Sequence, residues 1–211
     1  NGGVTTPHIA PKSTLGMVTG NATALLILNI ASWNLRGIGS PNTPGITREV
    51  KYNRILRREQ LINDCFRYGF DIVGLQETKS TQYENLIYPN NFRLIIFEQI
   101  GECHGGVGFV VSPRISECID VIVRVSNRIC YMDLSVPLNG GGFKRFRIVN
   151  CYGYTKDRAA KREEAKNVAK HWEDFYSVCK VPSKWELFVV GDLNAKIGKR
   201  THDDELNGLS N

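Results

Sequence analysis

The sequence contains no apolar stretch long enough to cross a bilayer. Its best candidate, Ala22 to Ile30, is far short of the roughly 20 residues a spanning helix needs. The same run is a poor signal peptide, because only Lys12 precedes it and no small-residue cleavage site follows. A buried strand accounts for it better, and no membrane partner is expected. The six cysteines are scattered, with no Cys-x-x-Cys, which excludes a zinc ribbon and a thioredoxin-type redox pair. Most sit in apolar stretches as small core residues do, so a reducing intracellular setting, nuclear or cytoplasmic, is expected. Internal repeats and low-complexity tracts are absent, which argues against a solenoid. Gly105-Gly106-Val107-Gly108 lacks the Lys-Ser/Thr and the helix that a nucleotide-binding P-loop requires. Close backbone approach within a sheet explains these glycines better.

What remains is an ordinary globular composition of 211 residues, with 42% apolar and 23% charged residues. The formal net charge is +6, from 27 basic and 21 acidic residues. That excess permits a polyanionic partner without requiring one. The first methionine is Met17, so the sequence is expected to begin inside a longer reading frame or to have been processed.

Residues 1–23 are rich in Gly, Thr, Pro and Ala and show no periodicity, which predicts a loose leader ahead of one domain over 24–211. Residues 25–32 read as a buried strand, and 37–44 as a loop. Thr47 is a candidate N-cap for a helix that Gly69 ends, with Ile55, Ile62, Cys65 and Phe66 on the apolar stripe. Lys51, Arg54, Arg57 and Arg58 fall on the other face, as a solvated surface or a phosphate contact. Strands follow at 71–75, 92–97, 106–111, 119–125, 129–136 and 143–151. A second helix is predicted over about 157–179, with Ala165, Val168, Ala169, Trp172, Tyr176 and Cys179 facing inward, and then a strand at 187–190. This order suggests mixed sheets with helices on their outer faces.

Four polar groups terminate apolar strands: Trp33-Asn34, Gln76-Glu77-Thr78-Lys79, Asn150-Cys151-Tyr152 and Gly191-Asp192-Leu193-Asn194. Strand ends are rigid places from which side chains converge, and α/β proteins put their sites there. Carboxylates and amides are the oxygen ligands a hard divalent cation takes, and phosphodiester cleavage needs such a cation together with a positioned base for water. Lys144, Arg145 and Arg147 are further candidates for phosphate contact.

In order, Ser32-Trp33-Asn34, Leu75-Gln76-Glu77-Thr78-Lys79, Gly105-Gly106-Val107-Gly108, Asn150-Cys151-Tyr152 and Gly191-Asp192-Leu193-Asn194-Ala195 resemble the motifs of the endonuclease/exonuclease/phosphatase superfamily. More narrowly, the sequence is similar to the apurinic/apyrimidinic-type endonucleases of non-LTR (LINE-type) retrotransposons. The resemblance implies a four-layer α/β/β/α sandwich of two mixed sheets flanked by helices. It implies Mg²⁺, or Mn²⁺ in its place, held by Asn34 and Glu77. Asp192 would orient or deprotonate the attacking water, Asn194 would bond the scissile phosphate or the nucleophile, and Tyr152 would contact the phosphate. Lys79, Asn150 and Arg145 would bind substrate. The implied partners are double-stranded DNA and a downstream reverse-transcriptase domain of the same polyprotein. The implied reaction is a nick whose 3′-hydroxyl primes reverse transcription.

Two departures stand out. Tyr154 occupies the position, two residues after Tyr152, where the family usually has Pro. The family also carries a further acidic residue and a Ser-Asp-His motif well after Gly-Asp-x-Asn, and the sequence stops at Asn211 before either. A C-terminally truncated domain is therefore expected, with an incomplete second sheet and weak or no activity in this exact chain. His202, in Thr201-His202-Asp203-Asp204, reads as a solvated loop residue rather than a replacement. Rival readings are another phosphoesterase of the superfamily, acting on inositol phosphates, sphingomyelin or RNA, and a catalytically inactive remnant.

Overall fold

The computed structural model describes residues 13–17, 26–101, 105–138, 141–155 and 162–195. In chain order these form β1 (Ser13–Met17), β2 (Leu26–Asn34), α1 (Arg48–Tyr68), β3 (Ile72–Gln76), β4 (Glu84–Ile87), β5 (Arg93–Ile96), β6 (Val107–Val111) and α2 (Pro113–Ser116). They continue as β7 (Ile119–Arg124), β8 (Ile129–Pro137), β9 (Phe143–Tyr152), α3 (Arg162–Cys179) and β10 (Glu186–Asp192).

Among the described residues there are two mixed sheets, one of six strands in the order β1-β2-β3-β6-β5-β4 and one of four in the order β10-β9-β8-β7. The parallel pairs are β2 with β3 and β9 with β10. All other pairings are antiparallel.

Alternation along each strand builds the layers. Ile72, Ile95, Val107, Phe109 and Val111 point into the space between the sheets, where they meet Met132, Leu134, Phe146 and Ile148. Their neighbours Val73, Leu94, Ile96 and Val110 point the other way and bury Leu61, Ile62 and Cys65 of α1. On the far side, Val149 and Cys151 of β9 receive Val178, Phe175 and Cys179 of α3. A strand that is apolar at consecutive positions is thus one covered on both faces. Each fully buried Phe or Ile here contributes about 1.5–3 kcal/mol of transfer free energy. The result is the expected helix/sheet/sheet/helix arrangement.

Local chemistry sets the ends of α1. The Thr47 hydroxyl accepts from Val50 N, and Gly69 at φ 64° turns its N–H back toward Cys65 and Phe66. Only glycine adopts that left-handed cap without strain.

Several expectations shift. Ser13–Met17, inside the stretch read as a loose leader, pairs antiparallel with β2, while residues 1–12 and 18–25 lie outside the described set. β4 and the short α2 were not anticipated. Phe66, assigned to the inward stripe of α1, is 65% exposed, and Arg58 takes a buried place instead, at 1%. On α3 the inward face is His171, Phe175, Val178 and Cys179; of the predicted set Cys179 packs inward, Val168 and Trp172 are half-buried, and Ala169 and Tyr176 are exposed. The proposed start of this helix near 157 lies outside the described residues.

Candidate active site

The two parallel pairs carry the site. In register, Asn34 lies beside Gln76 at the ends of β2 and β3, and Tyr152 beside Asp192 at the ends of β9 and β10. Because the sheets face one another, four strand ends meet at one rim of the sandwich. The Asn34 amide nitrogen donates to Glu77 Oε1 at 2.9 Å and to Asp192 Oδ2 at 3.0 Å, bridging residues 158 apart in sequence. The Tyr152 hydroxyl donates to the same Glu77 oxygen at 2.8 Å. Lys79 Nζ stands 3.5 Å from Glu77 Oε2. Asn194 N donates to Asp192 Oδ1 at 3.1 Å, and its side-chain amide donates to Gly153 O at 2.9 Å, tying the loop after β10 to the loop after β9.

Asn34, Glu77, Tyr152, Asp192, Asn194 and Lys79 are therefore brought together. Asn150 and Arg145 are not. Asn150 is completely buried, donating to Leu75 O and Gly108 O at 2.9 Å each and accepting from Gln76 at 2.7 Å, so it joins the two sheets and does not meet substrate. Gln76 in turn accepts from Ser32 Oγ at 3.1 Å. Arg145 lies seven residues before Tyr152 on β9, about 23 Å away along the strand, where it rests over Trp185 at 5.6 Å. Its neighbours are also occupied structurally. Lys144 pairs with Glu186 at 2.6 Å, and Arg147 grips both oxygens of Asp133 at 2.7 Å.

The basic face of α1 has an equally structural use. Arg54 donates to Ser40 O and Thr43 Oγ1, Arg57 to Leu35 O, and Arg58 to Gly39 O and Glu84. These arginines hold the 35–43 loop against the helix; Arg58 is buried, contrary to the solvated reading, whereas Lys51 and Arg57 are exposed in keeping with it.

The loops that present the site are strained in one particular way. Arg36, Glu77, Lys79 and Asn194 all have φ between 49° and 51°, and apart from Asn91 these are the non-glycine residues at positive φ among those described. Such conformations cost energy and persist where surrounding contacts dictate them. Here the contacts are Gly37 N to Glu77 O at 2.7 Å, Gly39 N to Thr78 O at 2.9 Å and Thr78 N to Gly106 O at 3.1 Å. A Cβ on Gly106 would collide with Thr78 Oγ1 and stand 2.8 Å from Lys79 N. The Gly105-Gly106 pair is thus the seat of the Glu77 loop.

Electrostatics assign the protons. Burial pushes the Glu77 carboxyl up, but hydrogen bonds from Asn34 and Tyr152 and the Lys79 charge outweigh it, leaving the group below its ordinary value. Burial, then the hydrogen bond and charge of Glu77, push the Tyr152 hydroxyl up to about 12. At neutral pH Glu77 is a carboxylate and Tyr152 a donor.

The donor set fits a small hard cation. Two carboxylates converge on one amide, and Lys79 pairs with one of them, Glu77. Among the described residues no group of three or more His, Cys, Asp or Glu gathers as a metal site, and this pair of carboxylates is no exception. One or two carboxylates with open positions for water is the arrangement Mg²⁺ prefers, and Asn34 would turn its amide oxygen toward it.

The sequence model of the endonuclease/exonuclease/phosphatase family matches residues 31–209. The chain belongs to the endonuclease/exonuclease/phosphatase family. Similar solved structures include an AP endonuclease from Archaeoglobus fulgidus (17% identity, TM-score 0.47), covering 80% of this chain and 58% of that one. D. rerio TDP2 complexed with single-strand DNA product has 15% identity and a TM-score of 0.41, covering 81% of this chain and 62% of that one. The human Nocturnin catalytic domain with bound sulfate anion has 13% identity and a TM-score of 0.39, covering 91% and 70%. The chain thus spans about 58% of the length of the archaeal enzyme. No curated protein matches it. The two sheets are those of a phosphoesterase or nuclease fold of this family.

Sequence reasoning singled out this site but missed Arg128, whose guanidinium lies over the rings of Tyr152 and Tyr154. It also missed Glu84, the buried partner of Arg58. An isolated Arg after a turn carries no signal of the ring it will cover. His104, His202 and His8 lie outside the described residues.

Proposed function

We propose that this domain is a Mg²⁺-dependent endonuclease that nicks double-stranded DNA, in the manner of the endonucleases that serve target-primed reverse transcription of LINE-type retrotransposons. The observation that carries the reading is the Asn34 amide shared by Glu77 and Asp192, with the Tyr152 hydroxyl on the same Glu77 oxygen. The net charge of +6 suits a polyanionic substrate. The motif run Gly191–Gly198 supports the retrotransposon assignment, with a reverse-transcriptase domain downstream as the partner. No described helix is long and apolar enough to cross a membrane.

Glu77 and Asn34 would hold the cation, which when bound supplies Lewis-acid stabilisation of charge on the phosphoryl oxygens. Asp192 accepts one hydrogen bond on each oxygen, which fixes its orientation and leaves a lone pair to take the proton of the attacking water. Tyr152, kept protonated, has a single O–H, which would turn from Glu77 to a phosphate oxygen as charge grows there. Lys79 adds positive charge beside the site, and Asn194 keeps a second N–H for the phosphate or the nucleophile.

The test is nicking of supercoiled plasmid with Mg²⁺ or Mn²⁺ by the chain extended through the family's C-terminal Ser-Asp-His motif, together with Mn²⁺ binding followed by electron paramagnetic resonance. Glu77→Gln is expected to abolish both nicking and metal binding. Asp192→Asn should abolish nicking while the fold, monitored by circular dichroism, persists. Mn²⁺ binding undiminished in Glu77→Gln, or cleavage undiminished in Asp192→Asn, would overturn the assignment. Inositol phosphate, sphingomyelin and RNA run in parallel decide the substrate class.

A further inference from the structure

The Tyr152 ring is gripped from behind. Arg128 follows the turn between β7 and β8 and is 3% exposed. Its guanidinium carbon lies 4.8 Å from the centroid of the Tyr152 ring and 4.1 Å from that of Tyr154. The backbone ties it to the same strand end, since Tyr152 N donates to Arg128 O at 2.8 Å and Arg128 Nη1 donates to Gly153 O at 3.3 Å. Tyr154 in turn meets the edge of the His171 ring on α3, with centroids 5.4 Å apart. His171 Nε2 sits 3.6 Å from Cys151 Sγ, next to Tyr152 in sequence. A column of contacts therefore runs from α3 through Tyr154 and Arg128 to Tyr152, and ends on Glu77.

A tyrosine fixed only by the bond at its hydroxyl is free to tilt about χ1, and that tilt carries the hydroxyl sideways. A flat cation stacked on the ring face opposes it. Arginine does this with a planar, weakly hydrated guanidinium, whereas the compact ammonium of lysine does not.

We propose that Arg128 is a positioning residue which, stacked on Tyr152 and Tyr154, holds the Tyr152 hydroxyl at Glu77 and on line with the scissile phosphate. This rests on the reading of Tyr152 as a phosphate contact. Tyr154 acts with it by covering the guanidinium, and α3 backs Tyr154 through His171.

The experiment has two readouts. In plasmid nicking, Arg128→Lys and Arg128→Met should lower kcat on the order of ten- to a hundred-fold, the cost of a misplaced contact, with KM nearly unchanged. Adding Tyr152→Phe should cost nothing further. Independently of activity, the chain is labelled with 3-fluorotyrosine, and the Tyr152 line is assigned by its loss in Tyr152→Phe. That line should shift or broaden in Arg128→Lys and in Tyr154→Pro, and stay in place in Tyr154→Phe, which keeps the ring. Retention of charge in Arg128→Lys without rescue separates ring positioning from a field effect. Should the Arg128 variants fail to fold, the half-buried Tyr154 pair decides. An unmoved Tyr152 line in folded Arg128→Lys or Tyr154→Pro overturns the proposal. Full activity of Tyr152→Phe would instead remove Tyr152 from the chemistry, while the fluorine line still reports whether Arg128 holds the ring.

Discussion

Replacing Arg58 by Met tests whether the loops around the site are anchored by a buried charge pair. Arg58 Nη1 meets Glu84 Oε2 at 2.5 Å, and Nη2 meets Glu84 Oε1 at 2.9 Å and Gly39 O at 2.5 Å. Ser80 Oγ adds a 3.1 Å bond to Glu84 Oε1. Both partners are buried, at 1% and 8% exposure. Burial pushes the Glu84 carboxyl up, but the hydrogen bonds and charge of Arg58, with the Ser40 and Ser80 hydroxyls, hold it below its ordinary value. Methionine keeps much of the volume and leaves a carboxylate and a carbonyl without their partner. That is expected to cost about 3–5 kcal/mol at pH 7, lowering Tm by roughly 6–20 °C for a chain of this size.

The pH dependence carries the sharper signature. In the native chain the folded-state pKa of Glu84 is depressed, so its stabilisation is complete above the usual glutamate value of about 4.3 and is lost as pH falls through the folded one. In Arg58→Met only the Ser40 and Ser80 hydroxyls are left to oppose burial and that pKa rises, so the cost is greatest at neutral pH and is relieved as Glu84 takes up a proton. The gap between the two stability curves should narrow as pH falls from 7 toward about 4.3 and close only below the depressed folded pKa of the native chain. Urea titrations read by fluorescence of Trp33, Trp172 and Trp185 measure this at pH 7 and pH 4.5, and Arg58→Met/Glu84→Leu should recover most of the loss. The reasoning fails if Arg58→Met lies within about 1 kcal/mol of the native chain at pH 7, below the cost of an unpaired buried charge. A gap that ignores pH would refute it equally.

Asn150→Ala should destabilise by about 2–4 kcal/mol, because it strands the Leu75 and Gly108 carbonyls and the Gln76 amide between the sheets. The same urea titration checks it, and a change under half a kilocalorie would show that water replaces the amide at will. His171 is 4% exposed, and burial, helped by the nearby Arg128 charge, lowers its pKa to about 4. The unfolded chain then binds the extra proton first, so stability should fall as pH drops from about 6.5 toward 4, by up to about 3 kcal/mol. His171→Phe should lack this share of the slope, and an identical slope in both proteins would contradict a buried neutral imidazole.

Much of the architecture was legible because it is local. Consecutive apolar residues at 72–75 and 107–111 announce strands covered on two faces, and Thr47 and Gly69 announce the ends of α1. β4 was missed because a four-residue strand beginning with Glu84 alternates too briefly to register, and its first side chain is buried by pairing rather than by apolarity. Arg58 was misassigned for the matching reason. Periodicity sees a charge on a helix and sends it to solvent, unaware of the carboxylate waiting 26 residues later. The site divided along the same line. Asn34, Glu77, Tyr152 and Asp192 announce themselves as polar residues at strand ends, whereas the burial of Asn150 and the distance of Arg145 appear only once β9 is placed.

The order of residues alone determined which segments become strands and helices and which polar groups stand at their ends, since those follow from side-chain period and capping within a few positions. Only the tertiary structure decided which ends meet. Bringing Asn34 between Glu77 and Asp192 depends on how two sheets stack across a shared apolar layer, a contact between residues 43 and 158 positions apart that no local pattern encodes.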